Sequence, residues 1–149
     1  MANNTPEYRA SYTDSFAHAF DAKGRITVPA EWRAESFETR LFVFPSSDRC
    51  LKVYPESWLG RLQEQVSQLK AADPMRQGVE VLASKAQSAT FDTQGRIMVK
   101  EKLREGAGLK KDAVLVGRLD HFQIWDKAVW GKKGAATMTL EEALSAIGL

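Results

Sequence analysis

The sequence predicts an α+β, strand-rich chain built from one unit written twice, with short helices between the strands. Two observations carry this reading. "FDAKGRITV" begins at Phe20 and "FDTQGRIMV" at Phe91, an offset of 71 positions that also aligns Arg33 with Arg104 and Leu51, Val53 and Tyr54 with Phe122, Ile124 and Trp125. Around these copies, short β-branched and aromatic stretches alternate with turns rich in Gly, Pro, Asp and Ser, the pattern of strands joined by hairpins. A single duplication differs from a solenoid, which needs at least about three copies to bury its repeats.

In chain order, residues 1–11 are polar and read as a loose arm. "FAHAF" and "RITV" read as a hairpin joined by "DAKG". The Asp carboxylate can accept from backbone N–H groups ahead of it, and Gly24 permits a positive φ. Pro29 suits the first position of a short helix over "PAEWRAES". "RLFVF" and "CLKVY" flank "PSSDR" as a second hairpin. After Pro55, Trp58, Leu59, Leu62, Val66 and Leu69 share one helical face that "AADP" ends. "MRQGVEVLASKAQSAT" reads as a helix followed by a strand running into Phe91. The plan then recurs: "TFDTQGRIMV" as a hairpin, "KEKLREGAGL" as a short helix ended by Gly106 or Gly108, and "AVLVG" with "HFQIWD" as a last hairpin. Beyond it, Thr139 with Glu142 three residues on signals a small capped helix.

Bulk composition narrows the function classes. The chain has 149 residues, of which 44% are hydrophobic, enough to bury a core. A formal charge of +2 leans only weakly basic, so a nucleic-acid surface has to concentrate its positive charge on one face. The single Cys50 excludes an intrachain disulfide, fits a reducing cytosol and reads as a small buried strand residue. No apolar run approaches the ~18 residues of a membrane span, and "MANNTPEYRASY" lacks the regions of a signal peptide, so a soluble, cytoplasmic protein is expected.

The residues do not support an enzyme. Asp21 and Asp92 each have an Arg close by that lowers the carboxyl pKa, the wrong direction for a general acid. His18 and His121 are read as strand residues without Cys or carboxylate at ligand spacing, so no metal is expected. "DAKG" and "DTQG" lack the glycine pattern of a phosphate-cradling loop, and no cofactor or small-molecule substrate is indicated. Trp58, Trp125 and Trp130 read most simply as core or interface residues. The turns leave two readings open. Asp and Gly in a hairpin turn can serve only their own backbone. Alternatively, Asp21 and Asp92 orient Arg25 and Arg96 as forks suited to a phosphate or a guanine edge. Two such forks on a pseudo-symmetric face suit repeated or palindromic DNA elements.

The paired "D-x-x-G-R-I" turns, "VP" after the first, "REGAGL" after the second, and "VLVG…FQIWD…W" together closely resemble the MraZ family of bacterial transcriptional regulators, from about Tyr12 to Trp130. The resemblance implies a swapped-hairpin fold like that of AbrB-type DNA-binding domains, with both repeats interleaved into one pseudo-symmetric β-barrel. Its units are then a first repeat over 12–58, a connecting helical segment over 59–82 and a second repeat over 83–130, with flexible extensions at 1–11 and 131–149. It further implies a ring-shaped homo-oligomer larger than a dimer, presenting "DxxxR" turns to double-stranded DNA. The expected role is repression at the promoter of the division and cell-wall gene cluster, through short direct repeats, by a nucleoid-associated protein. By position, the DNA-facing residues are Asp21, Lys23 and Arg25, then Asp92, Gln94 and Arg96. The competing function class is a non-DNA interaction or scaffold module of similar shape. Three positions depart from the pattern: Lys100 where Pro is frequent, Asp14 where Gly is common, and Gln123 where an acidic residue precedes "IW".

Overall fold

The structure, a computed structural model, describes residues 10–149, so all but the last two residues of the arm expected over 1–11 lie outside it. Eight strands form two sheets: β1 (Ser15–Ala19), β2 (Arg25–Thr27), β3 (Arg40–Pro45), β4 (Cys50–Pro55), β5 (Gln87–Thr90), β6 (Arg96–Met98), β7 (Asp112–Gly117) and β8 (Phe122–Asp126). The larger sheet has the order β1-β7-β8-β4-β3-β5, and β2 pairs with β6 in a separate two-stranded ladder. Among the described residues these ladders make two sheets rather than one closed barrel.

Exchanging the two repeats maps this order onto its own reverse. The pseudo-twofold axis passes where equivalent residues face each other, at Ile26–Ile97 in the small ladder and Lys52–Gln123 in the large sheet.

The expected hairpins split into two kinds. β3 with β4, and β7 with β8, are antiparallel neighbours as read from the sequence. The strands flanking "DAKG" and "DTQG" instead part after the turn. β1 pairs with β7, β5 pairs with β3, and β2 and β6 pair with each other. Burial accounts for the exchange. β2 and β6 have three residues each, too few to form a stable local hairpin. Laid across one another they bury Ile26, Val28, Ile97 and Val99 completely, in the core that holds Leu51, Val53, Leu115, Phe122 and Ile124.

The helices sit around this core. "PAEWRAES" forms a single 3-10 turn at Ala30–Arg33 rather than a longer helix. Trp32 anchors it: its indole N–H donates to the Thr13 carbonyl, and its ring stacks on Phe122 at 4.9 Å and meets Tyr12 and Phe16 edge-on. Helices α1 (Glu56–Ser67) and α2 (Pro74–Lys85) connect the repeats, and α2 begins with Asp73 accepting from the Met75 N–H. Val66 is the one buried residue of the expected α1 face; Trp58, Leu59 and Leu62 are half-buried and Leu69 lies past the helix end. In the second repeat α3 (Glu101–Gly106) replaces the 3-10 turn, and Gly108 takes the left-handed φ of 69° just beyond it. The segment read as a C-terminal extension carries most of α4 (Lys127–Ala136) and all of α5 (Leu140–Ala146), the latter with the expected Thr139–Glu142 capping box.

Two departures from the family pattern have local explanations. Asp14 adopts a φ of 74°, a conformation that favours glycine, and its carboxylate accepts from the Ser15 N–H. Lys100 keeps a proline-like φ of −59°, but its N–H donates to Gln87 Oε1 at 2.9 Å while Gln87 Nε2 donates to the Met98 carbonyl at 2.7 Å. At the equivalent positions the first repeat has Pro29 and Phe16, an apolar pair with no N–H to satisfy.

Lys100→Pro should therefore cost about 1–3 kcal/mol by leaving the buried Gln87 amide short of a partner. Combined with Gln87→Phe, which restores the first repeat's pairing, the double variant should lose less stability in urea melts than the two single variants together.

Candidate nucleic-acid interface

Each "DxxGR" turn is closed by its aspartate. Asp21 Oδ1 accepts from the Lys23 N–H at 3.0 Å and the Arg25 N–H at 2.9 Å, and Oδ2 accepts from Arg25 Nε at 2.6 Å. Asp92 repeats the arrangement with the N–H groups of Gln94 and Arg96, both at 2.9 Å, and Arg96 Nε at 2.8 Å. Both backbones close identically, with Gly24 donating to Asp21 O and Gly95 to Asp92 O. Both carboxyls are held below the ordinary range, first by the backbone N–H of the paired arginine; desolvation opposes this, but the guanidinium and the N–H two residues on tip the balance downward.

The turns belong to one constellation. Arg96 Nη1 lies 3.6 Å from Asp21 Oδ2, so Asp21 is shared between the two arginines. Val28 N–H donates to Gly95 O at 3.0 Å, and Val99 N–H to Gly24 O at 2.9 Å, which ties each turn to the strand leaving the other. The two turns enter the antiparallel ladder from opposite ends, and the Arg96–Asp21 contact bridges them across its three-residue length. Lys23 and Gln94 are exposed at the turn tips, while Arg25 and Arg96 are 35% and 24% exposed along their side chains. Among the described residues the Nη groups of Arg25 and Nη2 of Arg96 have no intramolecular partner.

Two residues at the site carry a role that the sequence alone did not assign. Arg33 Nε donates to Val28 O at 2.8 Å and lays its guanidinium against Gly95, in the other repeat. Arg104 Nε donates to Val99 O at 2.9 Å and lies against Gly24, where an added Cβ would meet Nη2 at 2.8 Å. Their recurrence eight positions after each turn arginine was the available signal. Gly24 and Gly95 are thus required twice over, by φ values of 80° and 75° and by the guanidinium packed on their open side.

The other candidates fall elsewhere. His18 lies in β1, whereas His121 precedes β8 instead of lying in a strand; there it bonds Asp120 and stacks on Tyr54. Burial lowers its pKa, and the adjacent Asp120 only partly offsets this. No group of three or more His, Cys, Asp or Glu among the described residues could hold a metal ion. Cys50 is buried and free, its thiol pushed up by desolvation. Trp125 is buried against Trp130, and Trp58 stacks on Tyr54.

Fold and site together define a tandem, strand-exchanged repeat protein with paired Asp–Arg turns joined through a small antiparallel ladder. The family described as "MraZ protein, putative antitoxin-like" matches residues 12–80 and 82–144. Among similar proteins, "Transcriptional regulator MraZ" of Corynebacterium urealyticum is 37% identical over 123 residues, covering 82% of this chain and 85% of its own. The protein of the same name from Thermomicrobium roseum is 39% identical over 117 residues (77% and 81%), and that of an Acidovorax species 35% over 126 (83% and 87%). The chain belongs to the MraZ family.

Gly24→Ala should destabilise the fold by more than about 1 kcal/mol. Adding Arg104→Ala should relieve the steric part and leave the φ strain, a coupling visible in a double-mutant cycle. Acidification probes the carboxylates. Their folded-state pKa values lie below the unfolded ones, so their stabilisation is complete above the ordinary carboxylate range and is lost as pH falls through the folded values. The melting-temperature gap between the wild type and Asp21→Asn/Asp92→Asn should be constant at neutral pH and close progressively below about pH 4.

Proposed function

We propose that this protein is a sequence-specific DNA-binding transcriptional regulator whose paired turns contact the duplex. The observation that carries the reading is the shared constellation in which Asp21 and Asp92 fix Arg25 and Arg96 side by side. A guanidinium whose Nε is already committed has lost much of its rotamer freedom. It keeps Nη donors for a guanine edge or a phosphate, so less entropy is lost on binding.

In this reading Arg25 and Arg96 read base edges, Lys23 supplies a phosphate contact, and Gln94 offers a donor and an acceptor to a base without charge. Asp21 and Asp92 orient the arginines. The functional units are the repeats over 12–58 and 83–130, joined through 59–82, acting as one barrel-like swapped-hairpin body with extensions at 1–11 and 131–149. In this reading the target is short direct repeats at the promoter of the division and cell-wall gene cluster, bound as a repressor by a cytoplasmic, nucleoid-associated protein; the relatives' name, transcriptional regulator, supports it. No cofactor or small-molecule substrate is required.

Two turns and a net charge of +2 give one chain little affinity for DNA. Several subunits on one operator multiply the contacts through effective concentration, which supports the ring-shaped homo-oligomer. Light scattering should show a discrete species larger than a dimer; a monomer that still binds tightly contradicts this part of the reading.

Arg25→Ala or Arg96→Ala should weaken binding to a fragment selected from the host genome by about 1–3 kcal/mol while the melting curve is retained. Unchanged affinity in both variants favours a scaffold module over a DNA reader.

A further inference from the structure

The two turns share one geometry but not one electrostatic setting. Around the first, a crease is lined by Phe20, Asp21, Ala22, Arg104, Leu109, Lys110 and Lys111. One residue more in the second repeat shifts the offset to 72 from here through β7: Ala19 pairs with Asp112 as Thr90 pairs with Arg40, which makes Leu109 and Phe37, both packed toward the core, equivalent and aligns "LKKD" with "FETR". Lys110 and Lys111 therefore stand where the other side of the molecule has Glu38 and Thr39. Because the turns are exchanged, the second repeat's lysines flank the first repeat's turn.

The local acids do not cancel this charge. Asp21 is occupied by Arg25, Arg96 and backbone N–H groups. Asp126 is turned inward, accepting from the Lys110 N–H and capping α4. Asp112 is exposed at the start of β7, and Lys127 adjoins it. Lys110 and Lys111 are exposed, and among the described residues neither ammonium has a hydrogen-bond or ion-pair partner. Their backbones are fixed: Lys110 N–H is held by Asp126, and Lys111 O accepts from Phe20 N–H at 2.8 Å. On the opposite side Glu38 carries negative charge and is engaged by the Ser57 N–H and hydroxyl.

We propose that Lys110 and Lys111, together with Arg104, form a backbone-phosphate subsite beside the first turn; the second turn keeps Arg33 in the place of Arg104 but has no counterpart of the two lysines. The subsite rests on the DNA reading above and adds to it a polarity. The first turn is clamped to the phosphates, and the second, which keeps Arg33 but has Thr39 in place of a lysine beside it and is tipped by the uncharged Gln94, contacts the duplex with weaker phosphate attraction. A pseudo-symmetric body is thereby given one preferred orientation on a direct repeat, which a symmetric charge distribution cannot supply.

Salt dependence of binding to a short labelled duplex of arbitrary sequence tests this, because phosphate contacts are independent of sequence. Lys110→Gln/Lys111→Gln should melt as the wild type and reduce the slope of log affinity against log salt by roughly 0.9 for each phosphate that is no longer neutralised. Thr39→Lys, which places a cation beside the second turn, should steepen it. Lys70→Gln/Lys85→Gln, on the α1–α2 connection, is the charge-matched control and should leave the slope unchanged. An equal drop in the control, or no drop in the Lys110/Lys111 variant while Arg25→Ala still weakens binding, overturns the subsite alone. If Arg25→Ala has no effect on any DNA either, the DNA reading fails and the subsite with it.

Discussion

Gly24 and Gly95 each accept a hydrogen bond from the other repeat's valine, and each makes room for the other repeat's arginine. This reciprocal clamp holds the rest of the site in place. It fixes the register of a ladder only three residues long on each side, which isolated strands of that length could not hold. It also sets the separation of the turns, and so lets Arg96 reach Asp21. Without it, Asp21 and Asp92 would still close their own turns, but the two arginines would have no fixed relation to one another.

The aspartates act on a shorter range. Three donors converge on each carboxylate, so the group remains ionised and the turn remains closed throughout the neutral range. The pairs are partly exposed, and such pairs add little stability by themselves. Their value is geometric: a guanidinium held at Nε is aimed before any partner arrives.

Local features were legible in the sequence. The Asp, Gly and Arg of the turns stood out because they recur, and the β3–β4 and β7–β8 hairpins and the Thr139 cap involve residues close along the chain. Strand partners were not legible at the turns. β1 pairs with a strand nearly a hundred residues away, and alternation shows which face of a strand is buried but not against what. Arg33 and Arg104 were visible as a repeat, yet their role depends on the exchange, which puts each against the other copy's glycine. The α1 face is less buried than its pattern suggests for the same reason: its periodicity is helical, but the helix lies on the outside and only Val66 is fully covered.

The self-reversing strand order has a consequence for how such a chain can change over time. A homodimer of single repeats must carry every substitution twice, so any innovation has to be tolerable in both halves. Covalent tandem linkage removes that restriction. One half can keep an apolar Phe16–Pro29 pair while the other turns to the Gln87–Lys100 hydrogen bond, and one rim can gain lysines while the other keeps a glutamate. The molecule retains the folding economy of a symmetric dimer, and its two ends remain free to specialise.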